Sequence, residues 1–215
     1  MGLKWSDLPA PWQACWEEGW TAYRAGSLFI GAVVTDGDGR LVARGRNHIN
    51  DCNALPFQVR HNQLAHAELN ALLWLSPKPA EVHTYHIYSL MEPCPMCMGA
   101  IYMSGVRGVH FAARDPFAGS ADLLGKTPYL SRKPVKIFAP DLPALELAVT
   151  AMSVCRELLR GDQASPAYLA ACREHQPQAA ALGERLATGR LPMRWRVEGW
   201  KAGPVFDRLM ESTLE

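Results

Sequence analysis

The sequence predicts an α/β fold built on a mixed five-stranded sheet. Residues 28–46 contain two short apolar runs separated by Asp and Gly residues, a pattern typical of an antiparallel hairpin. Residues 84–112 read as strand, helix and strand, an order that requires a crossover and therefore parallel pairing. A fifth strand is predicted at residues 134–139. With 215 residues, 48% of them apolar, the chain can fill a single core.

The first elements are a packing helix and the two strands of the hairpin. Ser6 or Asp7 can cap a helix whose apolar residues recur at helical spacing as far as Gly26. Residues 28–35 then form the first strand and residues 41–46 the second. The predicted helix therefore lies directly before the sheet begins.

A second helix is predicted to carry one histidine and one glutamate. Asn62 is a suitable N-cap, and Pro77 and Pro79 end the helix. His66 and Glu68 fall within its first turns. Because a helix turns by about 100° per residue, these two side chains would diverge by about 200°. They can converge on one site only if Glu68 reaches around or the helix enters the site end-on.

The third helix begins at a turn that contains two cysteines. Residues 84–90 form a central strand that leads into this turn. Cys94 and Cys97 are three residues apart, so both thiols can face one point from the start of a helix. The positive end of that helix also stabilises thiolates. Gly105 can close the helix, and residues 106–112 form the next strand.

These side chains together predict a zinc site. His66, Cys94 and Cys97 supply one imidazole and two thiolates, and catalytic zinc sites use three protein ligands with a fourth position open for water. Glu68 is a hard oxygen ligand and is better suited to moving protons beside Zn²⁺ than to binding it. The alternative is a non-catalytic, zinc-stabilised binding module. The presence of Glu68 counts against this alternative, because a purely structural zinc site does not need a neighbouring carboxylate.

The spacing of these residues also carries a family resemblance. H-x-E followed by P-C-x-x-C is the signature of the zinc-dependent nucleobase deaminases. Through residues 92–97, 99–102 and 113–115, the chain resembles the cytidine/deoxycytidylate deaminase superfamily, most closely its branch of bacterial guanine deaminases and tRNA adenosine deaminases. The resemblance covers residues 28–160. It implies a three-layer α/β/α cytidine-deaminase-like fold, with helices on both faces of the sheet, and a homodimer.

The resemblance implies two substrate-binding residues. Asn47 follows the hairpin where related enzymes place an asparagine against the base or sugar, and an amide offers both a donor and an acceptor. A simple turn role is the alternative for Asn47. Asp115 would border the substrate pocket, although capping the chain before Pro116 is equally open. The stretch between Asn47 and His66 is longer than expected of tRNA adenosine deaminases.

The expected reaction is hydrolytic deamination of a small molecule. Glu68 would take a proton from zinc-activated water and pass it to a ring nitrogen and then to the leaving amine, so that ammonia is released. A purine base or nucleoside of the guanine, guanosine or adenine type is favoured, and cytosine or cytidine is an alternative. A tRNA substrate is possible but not favoured, because 22 basic residues are balanced by 21 acidic ones.

The chain is expected to divide into a domain and an extension. Residues 1–160 form the predicted deaminase domain, and residues 161–215 a helical extension packed on that domain or on a partner subunit. Short helices are predicted at residues 166–175 and 178–188. No apolar run approaches the roughly 18 residues of a membrane span, and the N-terminus does not resemble a signal peptide. We therefore expect a cytoplasmic protein without a membrane partner.

Overall fold

The computed structural model describes residues 2–75 and 79–212. Five strands are present in this part of the chain, at β1 Gly31–Thr35, β2 Leu41–Arg46, β3 His86–Met91, β4 Gly108–Ala113 and β5 Lys136–Phe138. The α-helices of this part of the chain are α1 Ala10–Arg24, α2 Ala67–Leu72, α3 Pro95–Ser104, α4 Pro143–Leu158, α5 Pro166–His175, α6 Pro177–Thr188, α7 Leu191–Val197 and α8 Ala202–Ser212.

The strands form one mixed sheet in the order β2-β1-β3-β4-β5, which confirms the predicted sheet. β1 pairs antiparallel with β2 and β3, whereas β3, β4 and β5 are parallel. Val33 and Leu90 belong to a core that includes residues of α1 and α4, and Val34 and Ile87 to a second core with α2 and α3. The sheet is therefore the middle of three layers, with helices on both faces, as the sequence predicts.

Burial explains why the central strands are so apolar. All five residues of β1 are buried, because β1 lies between two strands and under helices on both faces. β2 lies at the edge, and its buried residues are Ala43 and Gly45. A side chain at Gly45 could not fit, since an added Cβ would lie 2.2 Å from the backbone nitrogen of Ala71 in α2. The close packing of α2 on this strand positions the candidate site.

Two predicted helix starts are wrong. α1 begins at Ala10 with Pro9 as its N-cap, and residues Trp5–Asp7 form a separate 3₁₀ helix, so neither Ser6 nor Asp7 caps it. Proline suits a helix start because the first turn does not use its missing N–H. The predicted C-terminal glycine is confirmed, since Gly26 follows α1 with a φ of +87°.

The second helix starts later than predicted. Asn62 is not its N-cap, because the Asn62 side chain accepts a hydrogen bond of 2.8 Å from Leu64 N in a local turn. The N-cap is His66, and the helix ends at Leu72 before either proline. Pro77 lies outside the described residues, and its predicted effect on the helix stays a prediction.

The C-terminal helices pack on the same chain. Trp16 and Trp20 of α1 donate their indole N–H groups to Ala202 O at 3.1 Å and Trp200 O at 2.8 Å. Trp16 also meets Phe206 of α8 edge-on, with ring centroids 5.0 Å apart. Gly183 of α6 lies directly against α4. Residues beyond 161 thus enlarge the core on the α1 and α4 side of the sheet.

Within residues 2–75 and 79–212, none of the helices is both long and apolar enough to cross a lipid bilayer. The cytoplasmic location stays a prediction.

Candidate active site

The conformation of His66 explains how it can share a site with Glu68. His66 has an extended backbone, with φ −77° and ψ 152°, and lies just before α2. Glu68 is the second residue of that helix. Because His66 is not part of the helix, the rotation of 100° per residue does not separate the two side chains. α2 enters the site with its N-terminus, the second of the two possibilities that the sequence left open.

Cys94 and Cys97 lie at the N-terminus of α3. Cys94 is the N-cap, its carbonyl accepts from Met98 N at 2.9 Å, and Pro95 follows in the first turn. Cys97 lies in the first turn and is fully buried. The Sγ atoms of Cys94 and Cys97 are 3.6 Å and 3.5 Å from His66 Nδ1. The structure therefore brings the three predicted ligands together.

The geometry of this cluster fits zinc. In a tetrahedral site with zinc–sulfur bonds of about 2.3 Å and zinc–nitrogen bonds of about 2.05 Å, a sulfur and a nitrogen ligand lie about 3.6 Å apart. The two measured sulfur–nitrogen distances, 3.6 Å and 3.5 Å, match this value. Over the described residues, His66, Cys94 and Cys97 are the one such group of three, and no further His, Cys, Asp or Glu joins it. One of four tetrahedral positions is thus left without such a ligand.

The pKa values of the two thiols, Cys94 and Cys97, are shifted in opposite directions. A hydrogen bond from Cys97 lowers the pKa of Cys94 to about 4; burial opposes this shift, and His66 adds to it. The same hydrogen bond raises the pKa of Cys97, which holds the remaining proton. A divalent cation deprotonates coordinating thiols outright, so both sulfurs become thiolate ligands when zinc binds.

Glu68 is a buried carboxyl beside the cluster. Only 4% of the residue is exposed. Its Oε1 accepts from Ser89 Oγ at 3.0 Å, and its Oε2 accepts from Cys97 Sγ at 3.5 Å. Burial raises the pKa of Glu68, and the positive charge of His66 opposes this shift. A buried carboxyl of this kind holds its proton to higher pH than an exposed carboxyl does, which suits a group that takes up and gives back a proton.

Asn47 is fully buried after β2. Its Oδ1 accepts from Ser27 Oγ at 2.6 Å, Ile49 N at 3.1 Å and Leu28 N at 3.4 Å. Its Nδ2 is buried and has no hydrogen-bond partner among residues 2–75 and 79–212. The acceptor half of the amide therefore holds the local chain, and the donor half is unused by the protein.

Asp115 caps the turn after β4. Its Oδ1 accepts from Phe117 N at 2.9 Å and Ala118 N at 3.0 Å, as the structural alternative predicts. It also lines a cavity of about 240 Å³ to which none of the three cluster residues contributes. The structure thus places Asp115 beside a cavity but does not bring it into contact with the cluster.

Sequence reasoning missed two residues that support the site. Ser89 orients Glu68, and the available signal was a serine among the buried residues of a largely apolar strand. Glu92 accepts from Asp115 N at 3.3 Å through Oε2 and from Ala121 N at 3.1 Å through Oε1. Glu92 thereby ties the loop after β4 to the turn that carries Cys94.

Comparison with known proteins finds a family match over nearly half of the chain. Residues 10–113 match the family model described as the cytidine and deoxycytidylate deaminase zinc-binding region. Guanine deaminase from Bacillus subtilis (strain 168) is 33% identical over 98 residues, which are 43% of this chain and 54% of that protein. The tRNA-specific adenosine deaminase of the same strain is 32% identical over 108 residues, which are 48% of this chain and 60% of that protein.

Solved structures agree with this assignment. A variant of the protein NE0047 in complex with 8-azaguanine is 26% identical, with a TM-score of 0.51, over 66% of this chain and 80% of that one. The chain spans 54% and 60% of the two curated relatives. Residues 10–113, which contain the zinc-fitting cluster, are therefore similar to the cytidine and deoxycytidylate deaminase zinc-binding region.

Proposed function

We propose that this protein is a zinc-dependent hydrolytic deaminase that converts an exocyclic amine of a nucleobase or nucleoside to a carbonyl and releases ammonia. One observation carries the proposal: the buried carboxyl of Glu68 lies directly beside a three-ligand cluster whose fourth position no described His, Cys, Asp or Glu fills. A structural zinc site would be expected to have four ligands.

Glu68 is the proposed proton carrier. Zinc held by His66, Cys94 and Cys97 supplies the Lewis acidity that activates water for attack near neutral pH. Ser89 holds Oε1 of Glu68, so that Oε2 faces the cluster at Cys97. From this position Glu68 would take one proton from the attacking water and give it to a ring nitrogen. It would then take the second proton from the hydroxyl that has added to the ring carbon and give it to the leaving amine, so that a carbonyl forms as the carbon–nitrogen bond breaks and ammonia leaves.

Asn47 is the proposed anchor for the substrate ring. Because its Oδ1 already accepts three hydrogen bonds, Asn47 would bind the substrate through Nδ2 as a donor. This favours an acceptor, a ring nitrogen or carbonyl oxygen, at the matching edge of the substrate. We propose that Asp115 borders the substrate, since it lines the adjoining cavity.

We favour a purine base or nucleoside as the substrate. The similarity to a guanine deaminase and the balance of 22 basic and 21 acidic residues support a small molecule over RNA. The second candidate is tRNA, because the match to a tRNA-specific adenosine deaminase covers a longer stretch of this chain. We also propose, from the family resemblance, that the protein is a homodimer. Analytical ultracentrifugation would measure the molar mass in solution, which a dimer of the 23.8 kDa chain would double.

The test compares the wild-type protein with the Glu68→Gln variant on a panel of substrates. Purines, pyrimidines, their nucleosides and a tRNA anticodon stem-loop are incubated with the zinc-loaded protein, and ammonia release is measured. Glu68→Gln should keep zinc and fold but lose turnover by about 10³-fold or more, because proton transfer is removed. Glu184→Gln, at an exposed ion pair on α6, is the control and should match the wild type.

Near-normal turnover in Glu68→Gln would exclude the proton-carrier role. Ammonia from the stem-loop alone would replace the small-molecule substrate with tRNA. If no member of the panel releases ammonia from a zinc-loaded wild-type protein, the non-catalytic binding module becomes the better hypothesis.

A further inference from the structure

Helix α5 of the C-terminal extension forms one wall of a cavity that Asp115 also lines. This cavity of about 240 Å³, which we call the α5 cavity, lies between the segment before β1 and helix α5. Its lining includes Leu28, Phe29 and Asp115 on one side and Arg156, Ser165 and Tyr168 on the other. Ser165 and Tyr168 lie outside residues 10–113, the part that matches the family.

The α5 cavity shares its walls with the proposed active site. Leu28 N donates to Asn47 Oδ1 at 3.4 Å, and Asp115 N donates to Glu92 Oε2 at 3.3 Å. Glu92 lies two residues before Cys94. A substrate ring held by Asn47 beside the metal cluster would therefore have the α5 cavity as its neighbour.

Helix α5 is attached to the loop that carries Asp115. The rings of Phe117 and Tyr168 meet edge-on, with centroids 6.2 Å apart and an interplanar angle of 89°. Gln176 Nε2, at the end of α5, donates to Arg114 O at 3.1 Å. These two contacts lie on either side of Asp115, so the wall formed by Tyr168 is held at a set distance from it.

The cavity offers donors, acceptors and an aromatic surface. Arg156 donates to Gly26 O at 3.0 Å and makes no other hydrogen bond with the described residues, although a guanidinium has five N–H groups. The adjacent Glu157 is already occupied by Arg160 and by Ser165 N. Oδ2 of Asp115 accepts no hydrogen bond from the described residues, since the turn uses Oδ1.

This combination suits a ligand rich in hydroxyl groups. Each hydroxyl donates one hydrogen bond and accepts up to two, so it can pair with both the guanidinium and the carboxylate. Tyr168 and Leu28, both half-buried, supply apolar area for the carbon side of such a ligand. A free planar base, once bound beside the metal cluster, would leave these groups unpaired.

We propose that the α5 cavity binds the sugar of a nucleoside substrate, with Tyr168 and Arg156 as specificity-determining residues. The protein would then favour nucleosides over the corresponding free bases. This inference rests on the proposed function, because it assumes that the base itself lies at the metal cluster.

Binding to a variant that does not turn over tests the inference separately from catalysis. Zinc-loaded Glu68→Gln is titrated by calorimetry with adenine and adenosine, guanine and guanosine, and cytosine and cytidine. For at least one pair the nucleoside should bind about tenfold more tightly than its base. Adding Tyr168→Ala or Arg156→Met should remove most of that advantage by weakening nucleoside binding more than base binding.

Two further variants separate a specific contact from a structural effect. Tyr168→Phe keeps the ring against Phe117, so it should keep the part of the advantage that the ring supplies and lose only what the hydroxyl supplies. Tyr129→Ala changes a tyrosine that is 49% exposed and does not line the cavity, and it should leave the advantage unchanged.

Several results would overturn the inference. The first two are equal affinity for base and nucleoside in every pair, and no binding of any member of any pair. The third is that Tyr168→Ala and Arg156→Met lower the affinity for base and nucleoside by the same factor. A different result would contradict the proposed function alone: nucleosides bind with the expected advantage, yet the wild-type protein releases no ammonia from them.

Discussion

The hydroxyl of Ser89 shows how a single residue can set the position of a reacting group. Ser89 lies in strand β3 and is 1% exposed, and its hydroxyl donates a hydrogen bond to Glu68 Oε1. Glu68 lies in the first turn of a different element, α2, so the serine fixes the carboxyl from a neighbouring strand. Ser89 contacts the proposed proton carrier and none of the three cluster residues.

We expect Ser89→Ala to lower turnover by about 10- to 100-fold, as loss of an outer-shell hydrogen bond does in other metal sites. Zinc content should stay at the wild-type level, because no metal ligand is touched. Ammonia release and elemental analysis on the same sample measure both quantities. Ser131→Ala, at an exposed serine, is the matched control. Loss of zinc together with activity would show that Ser89 supports the cluster instead.

Cys94→Ala should remove zinc itself. The variant deletes one of three ligands, and the remaining imidazole and thiolate are too few for a stable site. Elemental analysis of the purified variant measures this directly. The matched control is Cys52→Ala, which removes an exposed thiol outside the cluster and should retain full zinc. Full zinc occupancy in Cys94→Ala would reassign the ligands.

For single residues of the site, the sequence predicted which residue types take part better than it predicted how their side chains are oriented. Three ligands and a nearby glutamate follow from type and spacing, because zinc selects imidazole and thiolate over other groups. The unused Nδ2 of Asn47 could not be predicted, since it depends on Ser27 and Leu28 occupying the other end of the amide. Neither contact has a signature in the local sequence.

Among the elements, strands β3, β4 and β5 carry a stack of rings on one face of the sheet. His110 lies between Tyr88 and Phe138, with ring centroids 4.2 Å and 4.1 Å away. His110 Nε2 is also 2.8 Å from His86 Nδ1. Burial lowers the pKa of His110 to about 4, and the charge of His86 adds to this shift. The stack therefore favours a neutral His110.

This stack should make stability depend on pH. The unfolded chain protonates His110 near pH 6.5, whereas the folded protein does so only near pH 4. Between these values the unfolded state binds more protons, so the contribution of His110 is complete above pH 6.5 and is lost as the pH falls toward 4. His110→Phe, which keeps the ring but cannot titrate, should show a smaller loss of unfolding free energy from pH 7 to pH 5.

Urea unfolding at the two pH values measures this difference. Both proteins contain the same metal cluster, so its titration cancels when they are compared. His83→Phe, at an exposed histidine outside the stack, is the control and should keep the wild-type pH dependence. An unchanged pH dependence in His110→Phe would show that the stack does not couple to folding.

Most elements were predictable because their patterns are local. β2 has the predicted bounds, and α5 matches the predicted helix at residues 166–175. The start of α2 was not predictable from caps, because Asn62 forms its own turn and leaves His66 as the N-cap. That displacement moves His66 out of the helix and is what makes the site possible.

In the whole molecule, the extension completes the core under α1. Phe206 of α8 is fully buried against Trp16. Phe206→Ala should lower the free energy of unfolding by about 3–5 kcal/mol, because it leaves a cavity in a packed core. Phe57→Ala, at a side chain that is 82% exposed, is the control and should change it by about 0.5 kcal/mol or less.

Urea unfolding followed by tryptophan fluorescence measures both changes. A small effect in Phe206→Ala would show that this contact of the extension adds little to the stability of the core. The division of the chain at residue 160 stays a prediction, and this measurement bears on it directly.

Residue type and spacing were sufficient to predict the mixed sheet and a cluster of three side chains that fits zinc, because hydrophobic periodicity and metal preference act over a few neighbouring positions. The expectation of deaminase chemistry came from the family resemblance of the two short motifs. Tertiary structure alone decided how Ser89 meets Glu68, which half of Asn47 is available, and that Tyr168 of the extension faces the same cavity as Asp115. Each of these depends on groups far apart in the chain, and their contact follows from how the helices pack on the sheet.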